Sequence, residues 1–224
     1  MIHVDRKSVP GPAELSPTSL FVKKSWAAAG AFCRGSHRSR RQRRLEISLE
    51  PVRVPVTKAL LRMFHGKCAY CEAKVVTDQH GDVEHFRPKG AVTDEDLQPI
   101  MVQDTAGNSY PHPGYFWLAY EHTNLLLSCC LCNQPSTDTD ERRLGKRNRF
   151  PLLNPSVHAT KPDDVGSERP LLLNPLTDDP TGHFELDPDP GRLIGLTPEG
   201  KKCVEVFDLN DREGISKEIG RTHV

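Results

Sequence analysis

"FHGKCAYCE" (residues 64–72) sets Cys68 and Cys71 two residues apart, just after a glycine. A second pair with the same spacing, Cys129 and Cys132, sits in "LLLSCCLCN" (125–133). A two-residue gap lets both thiolates of one turn reach a single tetrahedral ion at about 2.3 Å. Two such turns supply four thiolates, which is a closed structural zinc site. The pairs are further apart than in a compact zinc ribbon, so the ion would clamp two remote segments together. Loop-closure entropy grows slowly with length and does not forbid this. The bland readings are buried cysteines in coincidental pairs, or a redox pair. Against them, both pairs follow apolar segments and are flanked by turn-compatible residues. Cys130 breaks the spacing and reads as a bystander, and Cys33 and Cys203 read as plain side chains.

The bulk numbers suit a metal-stapled chain. Hydrophobic residues make up 36% of the 224, with 16 glycines and 19 prolines, so the expectation is a loop-rich α+β protein with a modest core. Formal net charge is zero, so total charge points to no polyanion partner. The distribution is less even. Arg34, Arg38, Arg40, Arg41, Arg43 and Arg44 crowd one segment, while the region after Asp163 is acidic. The cluster reads most simply as a solvated face, with direct DNA contact as the sharper alternative. No apolar run is long enough to span a membrane. With no secretory h-region, and with Asp5, Glu14 and several early prolines arguing against an organelle presequence, a cytoplasmic location is expected. That location favours metal binding over disulfides for the seven cysteines.

The chain divides into a basic N-terminal arm (1–54), a core (55–154) and a C-terminal extension (155–224). The arm is poorly patterned, with one helix expected near 23–32. Val56, Leu60, Leu61 and Phe64 fall at helical spacing, and Gly66 is placed to end that helix. Residues 82–88 read as a strand, and 90–114 as an inserted loop with little pattern. "GYFWLAYEHTNLLLSC" (114–129) is the most apolar stretch and should be core. The polar stretch 133–149 reads as part loop and part helix. "HFELDPDPGRLIGLT" (183–197) reads as a hairpin turning at 188–191, and a helix should follow at "PEGKKCVEVFDLN" (198–210). "FPLLNP" and "RPLLLNP" echo each other, but two copies are too few for a solenoid. With no obvious closing element after residue 208, a truncated C-terminus is expected.

Between the cysteine pairs lies "GDVEHFRPKG" (81–90), where Glu84 adjoins His85. Closing the knuckles would bring Asn133, just past the last cysteine, back over this strand. Asn124 leads the apolar run into the second knuckle. A carboxylate and an amide oxygen are hard ligands, suited to a Mg²⁺ or Mn²⁺ that keeps waters for a phosphate. A neutral imidazole beside them can take a proton from water near pH 7. These parts make a one-metal phosphodiesterase, with His85 deprotonating the attacking water and the ion offsetting charge on the phosphate and leaving oxygen. The bland readings are His85 as a partner of the zinc ligands and Asn124 as a corner residue satisfying backbone groups. Arg87 and Lys89, close to His85, are candidates for phosphate contact, as are Lys146 and Arg149. The aromatic residues Tyr115, Phe116, Trp117 and Tyr120 read as core.

This order of residues resembles the HNH endonucleases, the ββα-metal or His-Me finger family. "CAYC", "DVEHFRP", "TNLLLSCCLCN" and "GKRNRFPL" carry the resemblance. It implies a ββα-metal finger clamped by the four-cysteine site, with a helical N-terminal part and a small hairpin-and-helix extension. It also implies His85 as general base, Glu84 as metal ligand, Asn124 as the residue that pins the loop, and Asn133 completing the metal site. "VDRKSVP", "FHGKCAYCE", "HPGYFWLAY" and "RPLLLNPLTDDP" are similar to bacterial HNH proteins of anti-phage defence operons, of the Septu and retron-associated type, so the likeness runs over nearly the whole chain. One departure stands out. Members often carry a lysine soon after the second knuckle, and here about a dozen residues precede Lys146, which leaves the phosphate contacts of Lys146, Arg147 and Arg149 open.

The expected function is a metal-dependent DNA endonuclease, with an ATPase encoded nearby as the candidate partner. The rival is a non-catalytic zinc module that binds nucleic acid or protein. Neither cleavage specificity nor the choice of DNA over RNA is legible, because nothing reads as a recognition helix with base-edge side chains.

Overall fold

The computed structural model describes residues 15, 49, 52–75, 81–134, 136–137, 143–189 and 191–210. The expected helix at 23–32, the arginine cluster and Cys33 lie outside the described residues.

Helix α1 (Arg53–Met63) buries Val56, Ala59, Leu60 and Met63, the i, i+3, i+4, i+7 stripe of a helix with one apolar face. Gly66 takes φ +68°, a left-handed value that costs glycine little, and its N–H bonds Leu61 O at 2.8 Å to stop the helix. Strand β1 (Asp82–His85) is shorter than the expected strand and pairs antiparallel with β4 (Leu125–Ser128). His85 stands opposite Leu125, and Asp82 opposite Ser128. All four β4 residues are buried, which is why that segment reads as a continuous apolar run.

Two stretches differ from expectation. Within 90–114, β2 (Met101–Gln103) and β3 (Ser109–Pro111) form a small antiparallel hairpin rather than a structureless loop. Asp104 builds its turn by accepting from Ala106 N and Asn108 N, an Asx arrangement that hydropathy patterns do not report. After the second knuckle, helix α2 (Cys130–Asn133) lasts one turn. It is followed by strands β5 (Ser136–Thr137) and β6 (Arg143–Leu144), with no further helix among the described residues there.

The two echoing segments lie side by side. Leu152 bridges Pro170, Leu153 N donates to Arg169 O and Leu171 N to Pro151 O, each bond 2.9 Å. Strands β7 (Phe184–Asp187) and β8 (Arg192–Gly195) form the expected hairpin. Helix α3 (Pro198–Phe207) starts with Thr197 accepting from Gly200 N, and Pro198 stands where its missing N–H costs nothing. The described chain is thus mixed α and β, with small two-stranded sheets.

One hydrophobic cluster takes in residues from Leu15 and Leu49 through to Leu209. Tyr70, inside the first knuckle, stacks on Phe207 of α3 with ring centroids 4.0 Å apart. The extension therefore packs on the core. No helix among the described residues is long and apolar enough to cross a membrane.

Candidate functional site

The first knuckle is a tight backbone turn. Glu72 N bonds Cys68 O at 3.0 Å, Cys68 N bonds Ala73 O at 2.9 Å, and Val75 N bonds Gly66 O at 2.8 Å. Ala69 N reaches across to Leu127 O at 2.8 Å, which ties this turn to the end of β4, where the second knuckle begins. There Asn133 N bonds Cys129 O at 3.1 Å and Gln134 N bonds Cys130 O at 2.6 Å. As a result the Sγ atoms of Cys68, Cys71, Cys129 and Cys132 all lie within 4.8 Å of one another. Cys71 and Cys129 sulfurs are 3.7 Å apart. A tetrahedral ion with bonds of about 2.3 Å would hold its sulfurs roughly 3.8 Å apart. Spacing and donor chemistry both fit zinc. Cys130 is exposed and outside the cluster. Cys203 is buried among apolar groups, which pushes its thiol up to about 12.

His85 ends β1 and is nearly enclosed, 6% exposed. Its Nε2 lies 3.0 Å from Ala119 O. A carbonyl can only accept, so Nε2 carries the proton and the lone pair of the neutral ring is on Nδ1. Burial first, and the nearby charge of Lys89 second, pull the imidazole down to about 3. The ring is therefore neutral at pH 7, the form able to accept a proton.

Adjacent residues on a strand face opposite ways. Glu84 points away from His85, toward the turn that follows the second knuckle. Its Oε1 accepts from Lys146 Nζ at 2.6 Å, and Nζ also donates to His85 O at 2.8 Å. Burial pushes the Glu84 carboxyl above its usual range, and the ammonium pulls it back. Asn133 turns to Asp82 instead of Glu84. Its Nδ2 donates to Asp82 Oδ2 at 2.8 Å, joined there by Gln134 Nε2 at 3.3 Å. Asp82 was not singled out from sequence. Its place two residues before Glu84 puts both carboxylates on one strand face, a period-2 signal that was available.

Asn124 holds the chain as it leaves β1. Its Oδ1 accepts from Arg87 N at 2.7 Å, and its Nδ2 donates to Arg87 O at 3.0 Å and Leu118 O at 3.2 Å. All the contacts of this amide are to backbone, so it is a pin.

Three basic candidates are turned inward, which does not fit the phosphate contacts expected of them. Arg87 lies over the rings of Phe86, Tyr115 and Phe150, and its Nη2 pairs with the buried Glu168 at 3.1 Å. Glu168 also accepts from Tyr115 Oη at 2.6 Å and Ala159 N at 2.7 Å. Lys146 is fully buried. Arg149 is buried too, donating to Gly145 O and, at 3.2 Å, to Val206 O. A cation can serve the interior when oxygens or aromatic faces surround it, and residue type does not reveal which service it performs. Lys89 is half-buried beside His85, and Arg147 is exposed next to the second knuckle, its N bonded to Asn133 O at 2.8 Å.

A Septu protein PtuB of Bacillus mycoides (strain KBAB4) is 38% identical over 160 residues, 70% of this chain and 48% of the relative. The relatives this chain matches are Septu proteins. A Septu protein PtuB of Bacillus thuringiensis is 27% identical over 158 residues, 70% of this chain and 42% of that one. A Septu protein PtuA of B. mycoides is 30% identical over 156 residues, 68% of this chain but 19% of the relative. The chain thus spans about half or less of the length of the curated Septu proteins it matches. No family model matches the chain. No solved structure matches it.

Proposed function

We propose that this chain is a metal-dependent HNH endonuclease that hydrolyses DNA phosphodiester bonds, with His85 as general base, in a bacterial anti-phage defence system. The observation that carries the reading is His85 itself: a neutral imidazole locked in one tautomer on a strand that the four-cysteine cluster holds between two knuckles. The similarity to Septu proteins supports the defence setting and a partner protein, for which an ATPase encoded nearby is the candidate.

In this reading Nδ1 of His85 takes a proton from water, the hydroxide attacks phosphorus, and the bond from phosphorus to the 3′ oxygen breaks, that oxygen taking a proton from solvent. A base held near 3 is weak. A phosphate anion brought alongside favours the imidazolium and raises it toward the working range. Asn124 keeps the Arg87 backbone in place, so the chain beyond His85 does not move as the proton transfers. Among the described residues, Lys89 and Arg147 are the candidates for meeting a phosphate in this reading. Of the oxygen donors, Glu84 is enclosed and paired with an ammonium, whereas Asp82 and Asn133 are half-exposed and bonded to each other. Asp82 and Asn133 therefore suit a Mg²⁺ or Mn²⁺ that keeps several waters. Bound there, such an ion would supply positive charge to the phosphate and leaving oxygen.

The test is nicking of supercoiled plasmid by the zinc-loaded protein with Mg²⁺ or Mn²⁺, alone and with the neighbouring gene product. His85→Ala should reduce the rate by at least about a hundredfold, with zinc content unchanged and the protein still folded at the assay temperature. An alanine variant that cuts equally well removes His85 as the base. The inward turn of Arg87, Lys146 and Arg149 removes three cations from phosphate contact, which favours a second reading, a non-catalytic zinc module with a protein rather than a nucleic acid as its partner. That reading predicts no Mn²⁺ site beyond zinc, which calorimetric titration decides.

A further inference from the structure

The ammonium of Lys146 has three hydrogens and three oxygens around it: Glu84 Oε1 at 2.6 Å, His85 O at 2.8 Å and Arg147 O at 3.4 Å. Its side chain is 0% exposed, and that of Glu84 is 9%. The backbone of Lys146 is anchored separately, its N bonding Cys132 O at 2.7 Å. One residue therefore touches a zinc-cluster cysteine with its main chain, and both Glu84 and the His85 carbonyl with its side chain. A hard divalent ion keeps part of its water shell, and a carboxylate this enclosed, already holding a cation, offers little space for those waters. Expelling the ammonium would strand a charge in the interior, which is strongly unfavourable.

We propose that Lys146 is the permanent cation of Glu84, and that this pair is a positioning device that transmits the placement of the zinc cluster to His85; Glu84 is not a divalent-metal ligand. The pair is argued from geometry alone, whereas its effect on rate rests on the nuclease reading above.

The experiment uses the full zinc-loaded chain with Glu84→Gln, Lys146→Met, the double variant Glu84→Gln/Lys146→Met, and Asp82→Asn. Three quantities are read: Mn²⁺ affinity by water-proton relaxation, melting temperature, and single-turnover nicking rate at saturating protein. Glu84→Gln should keep the wild-type Mn²⁺ dissociation constant within about twofold. Each single variant should lower the melting temperature, and the double variant should lower it by less than the sum, because it leaves no charge buried alone. Lys146→Met should slow nicking by about tenfold or more while Mn²⁺ and DNA affinities stay put, a rate-only loss that simple loosening of the fold would not give.

The proposal is overturned if Glu84→Gln weakens Mn²⁺ binding by about tenfold or more with an unchanged melting temperature, or if the two substitutions are additive. Should a single variant fail to fold, the double variant still decides: it folds and binds Mn²⁺ like the wild type if the pair is structural, and loses Mn²⁺ if Glu84 is a ligand. A wild type that never nicks DNA sinks the nuclease reading, and the melting-temperature cycle still decides the pairing.

Discussion

His85, His112 and His158 are held neutral by the same cause at different places. His112 accepts from Gly114 N at 3.0 Å with Nδ1 and donates to Ala159 O at 2.9 Å with Nε2, so both nitrogens are used without a charge. The Tyr115 hydroxyl proton goes to Glu168, so His158 Nδ1 donates to the phenol oxygen across 3.2 Å. Burial lowers all three imidazoles, His158 to about 4 and His85 to about 3. In the unfolded chain a histidine titrates near 6.5. Between that pH and the folded value the unfolded state binds a proton that the folded state refuses. Stability is therefore full above about 6.5 and falls with acid toward 3, at up to about 1.4 kcal/mol per pH unit for His85. His85→Gln can still donate to Ala119 O and has no such titration. Urea melts at pH 7, 6 and 5 should show the variant losing less stability than the wild type. Zinc loss in acid is common to both and cancels in the comparison. If the two curves run parallel, His85 is not held neutral.

At the scale of elements, the turn after the second knuckle shows how backbone geometry places a side chain. Gly145 has φ +79°, and a Cβ there would lie 2.0 Å from Gln134 O. The chain passes this close to α2 because Lys146 N must reach Cys132 O and Arg147 N must reach Asn133 O. Gly145→Ala should therefore cost at least about 1–3 kcal/mol, from the left-handed backbone and the overpacked contact. It should also speed zinc release to a chelator, since the strained turn bonds directly to the second knuckle. Denaturant titration and a colorimetric zinc-release assay measure the two effects. An alanine variant as stable and as zinc-retentive as wild type would mean that this close approach is relaxed in solution.

Across the whole molecule, the four-cysteine cluster and the C-terminal helix share a core. Tyr70 lies between two cluster cysteines and stacks on Phe207, while Arg149, beyond the β5–β6 pair, donates to Val206 O. Phe207→Ala should cost about 3–5 kcal/mol, the usual penalty for emptying a buried aromatic position. Because the cavity opens against the knuckle, zinc should exchange faster as well. Removing zinc from the wild type should raise amide exchange in α1, β4 and α3 together, since one cluster of side chains joins them. Protection lost in β4 alone would show that the extension is an independent unit.

The cysteine clamp was legible in the sequence because its chemistry is local: spacing within each turn sets sulfur geometry, and four thiolates so placed suit a tetrahedral ion such as zinc. Helix α1, the β7–β8 hairpin, α3 and the apolar β4 were legible for the same reason, as period and turn residues act over a few positions. The β2–β3 hairpin and the β5–β6 pair were not, because strands of two or three residues carry too little pattern. The partners of charged groups were also hidden. Lys146, Arg149 and Arg87 look like surface cations in a string of letters, and only the folded chain surrounds them with oxygens and rings. The sequence by itself determined which residue types meet, four sulfurs and an imidazole beside an acid. Tertiary structure alone decided what each charge faces: an ionic partner is chosen by burial and by atoms distant in the chain, and neither is a local property.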